Sequence, residues 1–224
     1  MMSKTLFIRA ITRFLAGLLI VAALLLIPAG TWNYPQAWLL IGILFVPMFA
    51  AGLVMMRKNP ELLKKRLNVK EEESEQRRVI IFSGLMFIAA FIAAGLSFRY
   101  DFLMLPFSMS IIAAILFLAA YALYAEVLRE NTYLSRTVEV QEDQKVIDTG
   151  LYGIVRHPMY MVTVFLFLAM PLVLGSVISF VIMLFYIPII VKRILNEEEV
   201  LKNGLPGYAE YMAKVKYRLI PFLW

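Results

Sequence analysis

Long apolar runs separated by polar links dominate the first 125 residues of the chain. Four of these runs extend from about Ile11 to Gly30, Gln36 to Met56, Val79 to Phe98 and Leu103 to Ala125. Each is close to the ~20 residues that an α-helix needs to cross the ~30 Å hydrocarbon core of a bilayer. The pattern predicts four membrane-spanning helices, and the charge-rich link 57–78 favours a solvated surface helix between the second and the third.

A fifth apolar block, Met161 to Val191, is longer than one span but is interrupted near its middle by Gly175 and Ser176. Two structures fit it: a hairpin of two short helices, or one long tilted helix. Each half is shorter than a full span, and each contains a proline. The glycine–serine break favours the hairpin, so we expect five to six membrane helices in an all-α polytopic protein.

The distribution of basic residues predicts the orientation of these helices. If the fifth block is a hairpin, all 22 lysines and arginines except Arg99 lie on the side of the N-terminus. Positive charge marks the cytoplasmic side of membrane proteins, so both termini and the polar C-terminal segment should face the cytoplasm. The first run follows basic residues as a signal peptide does, but a second run follows at once, so we expect a retained span. Trp32 and Tyr34, in the link between these runs, form a candidate interfacial anchor pair.

The composition limits the classes of protein and of functional site that the chain can form. Hydrophobic residues make up 62% of the chain and its mean hydropathy is +0.78, whereas soluble proteins have about 45–50% apolar residues. The absence of cysteine excludes disulfides and thiolate chemistry, and a single histidine argues against a histidine-rich metal centre. We therefore expect one membrane domain, 1–224, with a helical scaffold at 1–125 and the functional segment at 126–224, binding the lipid bilayer but neither nucleic acid nor metal.

Polar residues flank the fifth block at its start. The link 138–150 alternates apolar and polar residues around a polar turn, which is a weak signal for a hairpin or an extended loop. Arg156, His157 and Pro158 follow it. Pro158 can begin a helix, which leaves His157 beside N–H groups that attract an anion. The ordinary alternative is that Arg156 snorkels, His157 caps the helix, and two nearby tyrosines form an aromatic belt.

A second polar group follows the fifth block. Arg193 and Glu197 are four residues apart and share one helical face. They could form a surface ion pair, but the order of base before acid is the weaker one, which favours separate roles for the two side chains. Glu198 and Glu199 should point elsewhere on the helix into solvent. A hairpin would bring Arg193 and Glu197 towards His157.

In this order and spacing, the C-terminal residues resemble the isoprenylcysteine carboxyl methyltransferase family, whose members are integral-membrane methyltransferases. The resemblance covers roughly the last 95 residues, and the first 125 match only as membrane helices. The matching residues are Gly150, Tyr152, Arg156, His157, Pro158, Tyr160, Arg193, Glu197, Glu198, Leu201, Tyr208, Tyr211, Arg218 and Pro221, with Asn131 and Gln141 in the lead-in.

The resemblance implies a cytoplasmic segment that binds S-adenosylmethionine, with S-adenosylhomocysteine as the product. Carried over position by position, the cofactor contacts would be Gln141, Gln144, Lys145, Val146, Ile147, Tyr152, His157, Pro158, Met159, Tyr160 and Glu197. Arg193 would be the catalytic residue that binds the substrate carboxylate, and Arg156 is a second candidate for that role.

The expected cofactor residues and the arginine suit methyl transfer to a lipidic or prenylated acceptor at a membrane surface. An ionised carboxylate needs no general base, but it needs a cation such as arginine to hold it. The resemblance implies an isoprenylcysteine-like carboxylate as the acceptor. Two alternatives stay open: N-methylation of a phospholipid or other lipid amine, and a non-catalytic membrane protein or sensor. The membrane would be the cell membrane in a prokaryote and the endoplasmic reticulum in a eukaryote.

Overall fold

The protein is a bundle of long α-helices. A computed structural model describes residues 4–58, 60–67, 74–134 and 140–224. A short 3-10 turn, Gly150–Gly153, precedes α6, and the described residues contain no strand longer than an isolated bridge. The helices are α1 Lys4–Ala29, α2 Pro35–Lys58, α3 Pro60–Leu67, α4 Ser74–Arg99, α5 Phe107–Glu130, α6 Pro158–Val173, α7 Val177–Leu184, α8 Tyr186–Gly204 and α9 Tyr208–Lys214.

Five helical stretches among the described residues are long and apolar enough to cross a membrane. They are Leu6–Ala29, Pro35–Lys58, Arg78–Arg99, Phe107–Glu130 and Val177–Gly204, and α6 is a shorter apolar helix. Most of their residues are not buried inside the protein, as expected for helices whose outer faces contact lipid rather than a core. The predicted all-α, multi-pass architecture is confirmed, with four scaffold helices followed by the C-terminal pair.

The fifth apolar block is a hairpin, and the alternative of one long helix is wrong. α6 ends at Val173, and Gly175 turns the chain with a positive φ of 73°. A positive φ is strained for residues with a side chain but accessible to glycine. Ser176 then caps α7, because its hydroxyl accepts a hydrogen bond from the backbone N–H of Ser179 at 3.2 Å.

The second arm of the hairpin is longer than its apolar length predicted. α7 and α8 together continue to Gly204, with a break at Phe185. Pro188 accounts for the break, because it has no N–H to offer the carbonyl of Leu184 and its ring crowds that carbonyl. The added length carries Glu197 beyond the apolar block and into the polar end of the bundle.

The turn of the hairpin is joined to the link between α4 and α5. The backbone N–H of Leu105 donates to the carbonyl of Gly175 at 2.7 Å, and that of Val177 donates to the carbonyl of Leu103 at 3.2 Å. The two segments thus form a short antiparallel bridge. This pairing explains why α5 begins at Phe107, after a proline, rather than at Leu103.

Of the predicted interfacial pair, only the tryptophan is at the surface. The side chain of Trp32 is 75% exposed, whereas Tyr34 is fully buried. The Tyr34 hydroxyl donates to the carbonyl of Leu174 at 2.8 Å, and its ring stacks on Phe98 with centroids 4.0 Å apart. The prediction for Tyr34 is wrong, because the link between α1 and α2 folds onto the end of α6.

One glycine allows α1 and α4 to approach closely, although the spans contain no GxxxG pair. A Cβ atom on Gly95 would lie 2.5 Å from the carbonyl oxygen of Leu25 and 2.9 Å from the Cβ of Pro28. Neither contact is sterically acceptable. Membrane helices associate largely by van der Waals packing, so small residues at such crossings matter.

The link between α2 and α4 contains the predicted surface helix, α3. Its exposed charged residues include Glu61 and Lys64, whereas Leu63 is buried against Ala10 and Met56. The remainder of the link, including the predicted acidic cluster 71–73, lies outside the described residues.

Candidate functional site

A cleft opens at the end of the bundle where α6 begins and α8 ends. Its volume is about 810 Å³, counting the space at its open mouth. Its walls are formed by the end of α5 and the residues after it, the loop before the 3-10 turn, the start of α6, the end of α8, and α9. The lining residues are Asn131, Tyr133, Leu134, Gln144, Lys145, Val146, Ile147, Tyr152, Arg156, His157, Met159, Tyr160, Glu197, Leu201, Leu205, Tyr208 and Tyr211.

The C-terminal segment closes one side of this region. The backbone N–H of His157 donates to the carbonyl of Arg218, and that of Arg156 donates to the carbonyl of Tyr217, both at 2.9 Å. The Tyr211 hydroxyl donates to the backbone carbonyl of Tyr152 at 2.7 Å. These bonds fix the start of α6 against residues about 60 positions later in the chain.

His157 and Glu197 face each other in the cleft. His157 occupies the N-cap position of α6, whose first residue is Pro158, but its side chain makes no capping hydrogen bond, so it caps the helix by position only. The imidazole is buried, and its Nδ1 lies 3.9 Å from Oε1 of Glu197. Two residues forty positions apart can therefore contact one small molecule.

Tyr160 connects Arg193 to Glu197. The guanidinium Nε of Arg193 donates to the Tyr160 hydroxyl at 2.9 Å, and that hydroxyl donates to Oε2 of Glu197 in a short hydrogen bond. The Arg193 guanidinium also lies 5.9 Å from the centroid of the Tyr160 ring. The arginine and the carboxylate are thus coupled through a third side chain on the facing helix.

Glu198 lies in the protein interior, and the prediction that it is solvated is wrong. Its side chain is only 6% exposed. Oε1 accepts from Nε of Arg156 at 2.7 Å and lies 3.2 Å from Nε2 of His157, while Oε2 accepts from Nε of Arg218 at 2.8 Å. As predicted, Glu198 points away from Glu197, but the C-terminal segment covers that face of α8. Glu199 is exposed, as predicted.

Arg156 is buried, which rules out the interpretation in which it snorkels. Besides its bond to Glu198, its Nη1 donates to the carbonyls of Val215 and Lys216 at 2.7 and 2.9 Å. Most of its donors are therefore directed at the protein itself. The geometry favours Arg193 over Arg156 as the group for a substrate carboxylate.

Comparison with known proteins relates part of the chain to one family. Residues 111–203 match the model of the Isoprenylcysteine carboxyl methyltransferase (ICMT) family. The matched stretch is less than half of the chain and includes α6, α7 and nearly all of α8. Its fold is similar to the solved structure of the eukaryotic intramembrane Ras methyltransferase ICMT, with a TM-score of 0.57 and 17% identity over 93% of this chain and 75% of that chain. No individual curated protein matches the sequence.

The cleft contains most of the residues that the resemblance implied. All of the expected cofactor residues line it except Gln141 and Pro158. Pro158 packs as the first residue of α6, and the Gln141 side chain donates to the carbonyl of Tyr133. Gln141 also begins a turn, because its backbone N–H donates to the side-chain oxygen of Gln144 at 2.9 Å. The loop at residues 140–149 is irregular, and residues 135–139 lie outside the described residues.

Tyr208 is a lining residue whose role the sequence did not reveal. It is 4% exposed, and its hydroxyl has no hydrogen-bond partner among the described residues. Burial raises the pKa of the Tyr208 hydroxyl, so the group remains a hydrogen-bond donor at neutral pH. The only sequence signal was its spacing from Tyr211, which matched the family but indicated no contact. Other lining residues that no sequence signal indicated are Tyr133, Leu134 and Leu205.

Proposed function

We propose that this protein is a member of the ICMT family and transfers a methyl group from S-adenosylmethionine to a carboxylate on a lipidic acceptor of the isoprenylcysteine type. The observation that carries this proposal is the convergence of three groups from the two arms of the hairpin. His157 and Glu197 lie 3.9 Å apart in one cleft, and Arg193 is joined to Glu197 through a tyrosine hydroxyl.

The cleft has the chemical character that the cofactor needs. Aliphatic and tyrosine side chains along its walls suit a flat adenine ring, and the Glu197 carboxylate suits a hydroxyl or an ammonium group. The buried Tyr208 hydroxyl, unpaired in the described protein, offers one further polar contact. An unpaired buried donor is costly, which supports a partner from a ligand.

When bound, S-adenosylmethionine supplies a methyl group that its sulfonium already activates, so the transfer requires neither a metal nor a covalent enzyme intermediate. The task of the protein is then to align acceptor and donor and to exclude water. The buried start of α6 and the C-terminal segment hydrogen-bonded to it form one wall of the cleft for that purpose. Tyr160 orients Glu197 and Arg193 together.

We infer that Arg193 holds the acceptor, although it is not one of the residues that line the cleft. It lies on α8 next to the apolar part of the hairpin, so a carboxylate bound there could keep its lipid chain along apolar helix faces. A planar guanidinium matches a carboxylate better than a lysine ammonium does. A charged group near the hydrocarbon region also needs either a hydrogen-bond partner or a water-filled cavity. The Tyr160 hydroxyl is such a partner for Arg193.

Calorimetric titration of the purified protein with S-adenosylmethionine and S-adenosylhomocysteine tests the cofactor. We expect binding in detergent or lipid, weakened by His157→Ala and by Glu197→Ala but not by Glu199→Ala, which removes an exposed neighbouring carboxylate. The absence of binding to folded wild-type protein would refute the proposal.

Transfer of labelled methyl groups tests the acceptor. We expect methylation of a prenylated cysteine with a free carboxylate and none of its methyl ester. Methylation of phosphatidylethanolamine instead would support the lipid-amine alternative. Cofactor binding without transfer to either acceptor would support the non-catalytic alternative.

A further inference from the structure

The buried carboxylate of Glu198 contacts the single histidine of the chain. Glu198 accepts hydrogen bonds from Arg156 and Arg218 at 2.7 and 2.8 Å. A buried carboxylate between two guanidinium groups carries its negative charge, since the pairing offsets the loss of water. An ionised carboxylate has no proton to donate and acts only as an acceptor.

This chemistry determines which nitrogen of His157 carries the proton. Nε2 of His157 lies 3.2 Å from Oε1 of Glu198. Because Glu198 only accepts, Nε2 must be the donor in this contact. In a neutral ring, Nδ1 then has no proton and is an acceptor. Nδ1 is the nitrogen on the side of Glu197, whose Oε1 is 3.9 Å away.

Two acceptors therefore face one another at the cleft. Neither a neutral Nδ1 nor the Glu197 carboxylate can donate to the other, so a donor between them would satisfy both. An ammonium group has three N–H bonds and fits such a pair. The amino-acid end of S-adenosylmethionine carries this group.

We propose that Glu198 is a positioning residue that fixes the Nε2–H tautomer and the orientation of His157, so that Nδ1 and Glu197 together accept from the ammonium group of the methyl donor. The identity of the ligand rests on the proposed function, whereas the tautomer does not. Glu198 acts through His157 and need not contact the ligand, as outer carboxylates do when they orient a histidine in other sites.

The nitrogen-15 spectrum of ring-labelled histidine tests the tautomer directly. The chain has one histidine, so the two ring signals need no assignment to a residue. Over a pH series without ligand, we expect the neutral ring to carry its proton on Nε2 and not on Nδ1. A proton on Nδ1 alone, or on both nitrogens at every pH at which the protein stays folded, would overturn the proposal, whether or not any variant folds.

Substitution of the carboxylate tests the positioning role. Glu198→Gln keeps the shape of the side chain but can donate as well as accept, so we expect the Nδ1–H tautomer to appear in its spectrum. Glu199→Gln, which removes the same charge one residue later, is the matched control and should keep the wild-type spectrum. A Glu198→Gln spectrum identical to that of the wild type would overturn the proposal.

Binding experiments then separate this inference from the proposed function. We expect Glu198→Gln to weaken S-adenosylmethionine binding by about 10- to 100-fold relative to Glu199→Gln, as the loss of a hydrogen bond with a charged partner implies. Affinity equal to that of the control would refute the positioning role. If the wild-type protein shows the Nε2–H tautomer but does not bind S-adenosylmethionine, the proposed function fails while the tautomer stands.

Discussion

The hydroxyl of Tyr160 is the most direct point at which to test the coupling between Arg193 and Glu197. Tyr160→Phe removes one oxygen atom and keeps the buried ring. That oxygen accepts from Arg193 at 2.9 Å and donates to Glu197. We expect the variant to weaken cofactor binding and acceptor use together, since both neighbouring groups lose their orientation.

The structure sets the size of this effect. A hydrogen bond with a charged partner contributes about 1.5–3 kcal/mol. The Glu197 side chain is 23% exposed, so water can replace part of the lost contact. A net loss of about 1–2 kcal/mol is therefore reasonable, which corresponds to a Kd for S-adenosylmethionine about 5- to 30-fold higher.

Calorimetry on the wild type and two variants measures this loss. Tyr34→Phe is the matched control, because it also removes a buried hydroxyl with a hydrogen bond, to Leu174 at 2.8 Å, but at the opposite end of α6. The control should lower thermal stability and leave the Kd unchanged. If Tyr160→Phe and Tyr34→Phe bind the cofactor as the wild type does, the coupling through Tyr160 has no part in binding.

Three further predictions concern other positions. Arg193→Gln should raise the acceptor KM by about 10- to 100-fold in methyl-transfer kinetics, with a smaller change in cofactor Kd. Lys192→Gln is the exposed control. A selective loss of cofactor affinity in Arg193→Gln would reverse the assignment of Arg193 to the acceptor. Tyr208→Phe removes an unpaired buried hydroxyl, so it should leave the melting temperature equal or higher while raising the cofactor Kd about 2- to 10-fold; an unchanged Kd would exclude this contact. Gly95→Ala should destabilise the protein by about 1–3 kcal/mol through overpacking, measured by thermal unfolding in detergent, whereas Gly84→Ala on the same helix meets open space and should not.

Much of the fold could be predicted because a bilayer imposes strong constraints on sequence. A spanning helix must be apolar for about 20 residues, so the four scaffold helices are visible in the pattern of residues. The hairpin was visible for a different reason, since Gly175 and Ser176 interrupt an otherwise continuous apolar block. The break at Phe185 was harder to locate, because Pro188 acts on a carbonyl four residues earlier.

The site was predictable only as far as local spacing allows. Arg193 and Glu197 share a helical face by their separation alone, and a hairpin must return that face towards His157. The surroundings of Glu198 depend instead on Arg218, which follows α9 and reaches back across the end of α8. No periodicity within α8 reports such a long-range contact, so a buried carboxylate was predicted to be solvated.

The bridge between the hairpin turn and the link 103–105 lies one helix length from the cleft. α6 has 16 residues, or about 24 Å at 1.5 Å per residue. A rigid rod of that length, held at one end, would move its other end by about 2 Å for a tilt of about 5°. Misplacements of about 1 Å can slow an enzymatic reaction a hundredfold. Insertions or deletions near Leu103 would therefore displace His157, although that link lies at the opposite end of α6 from the cleft.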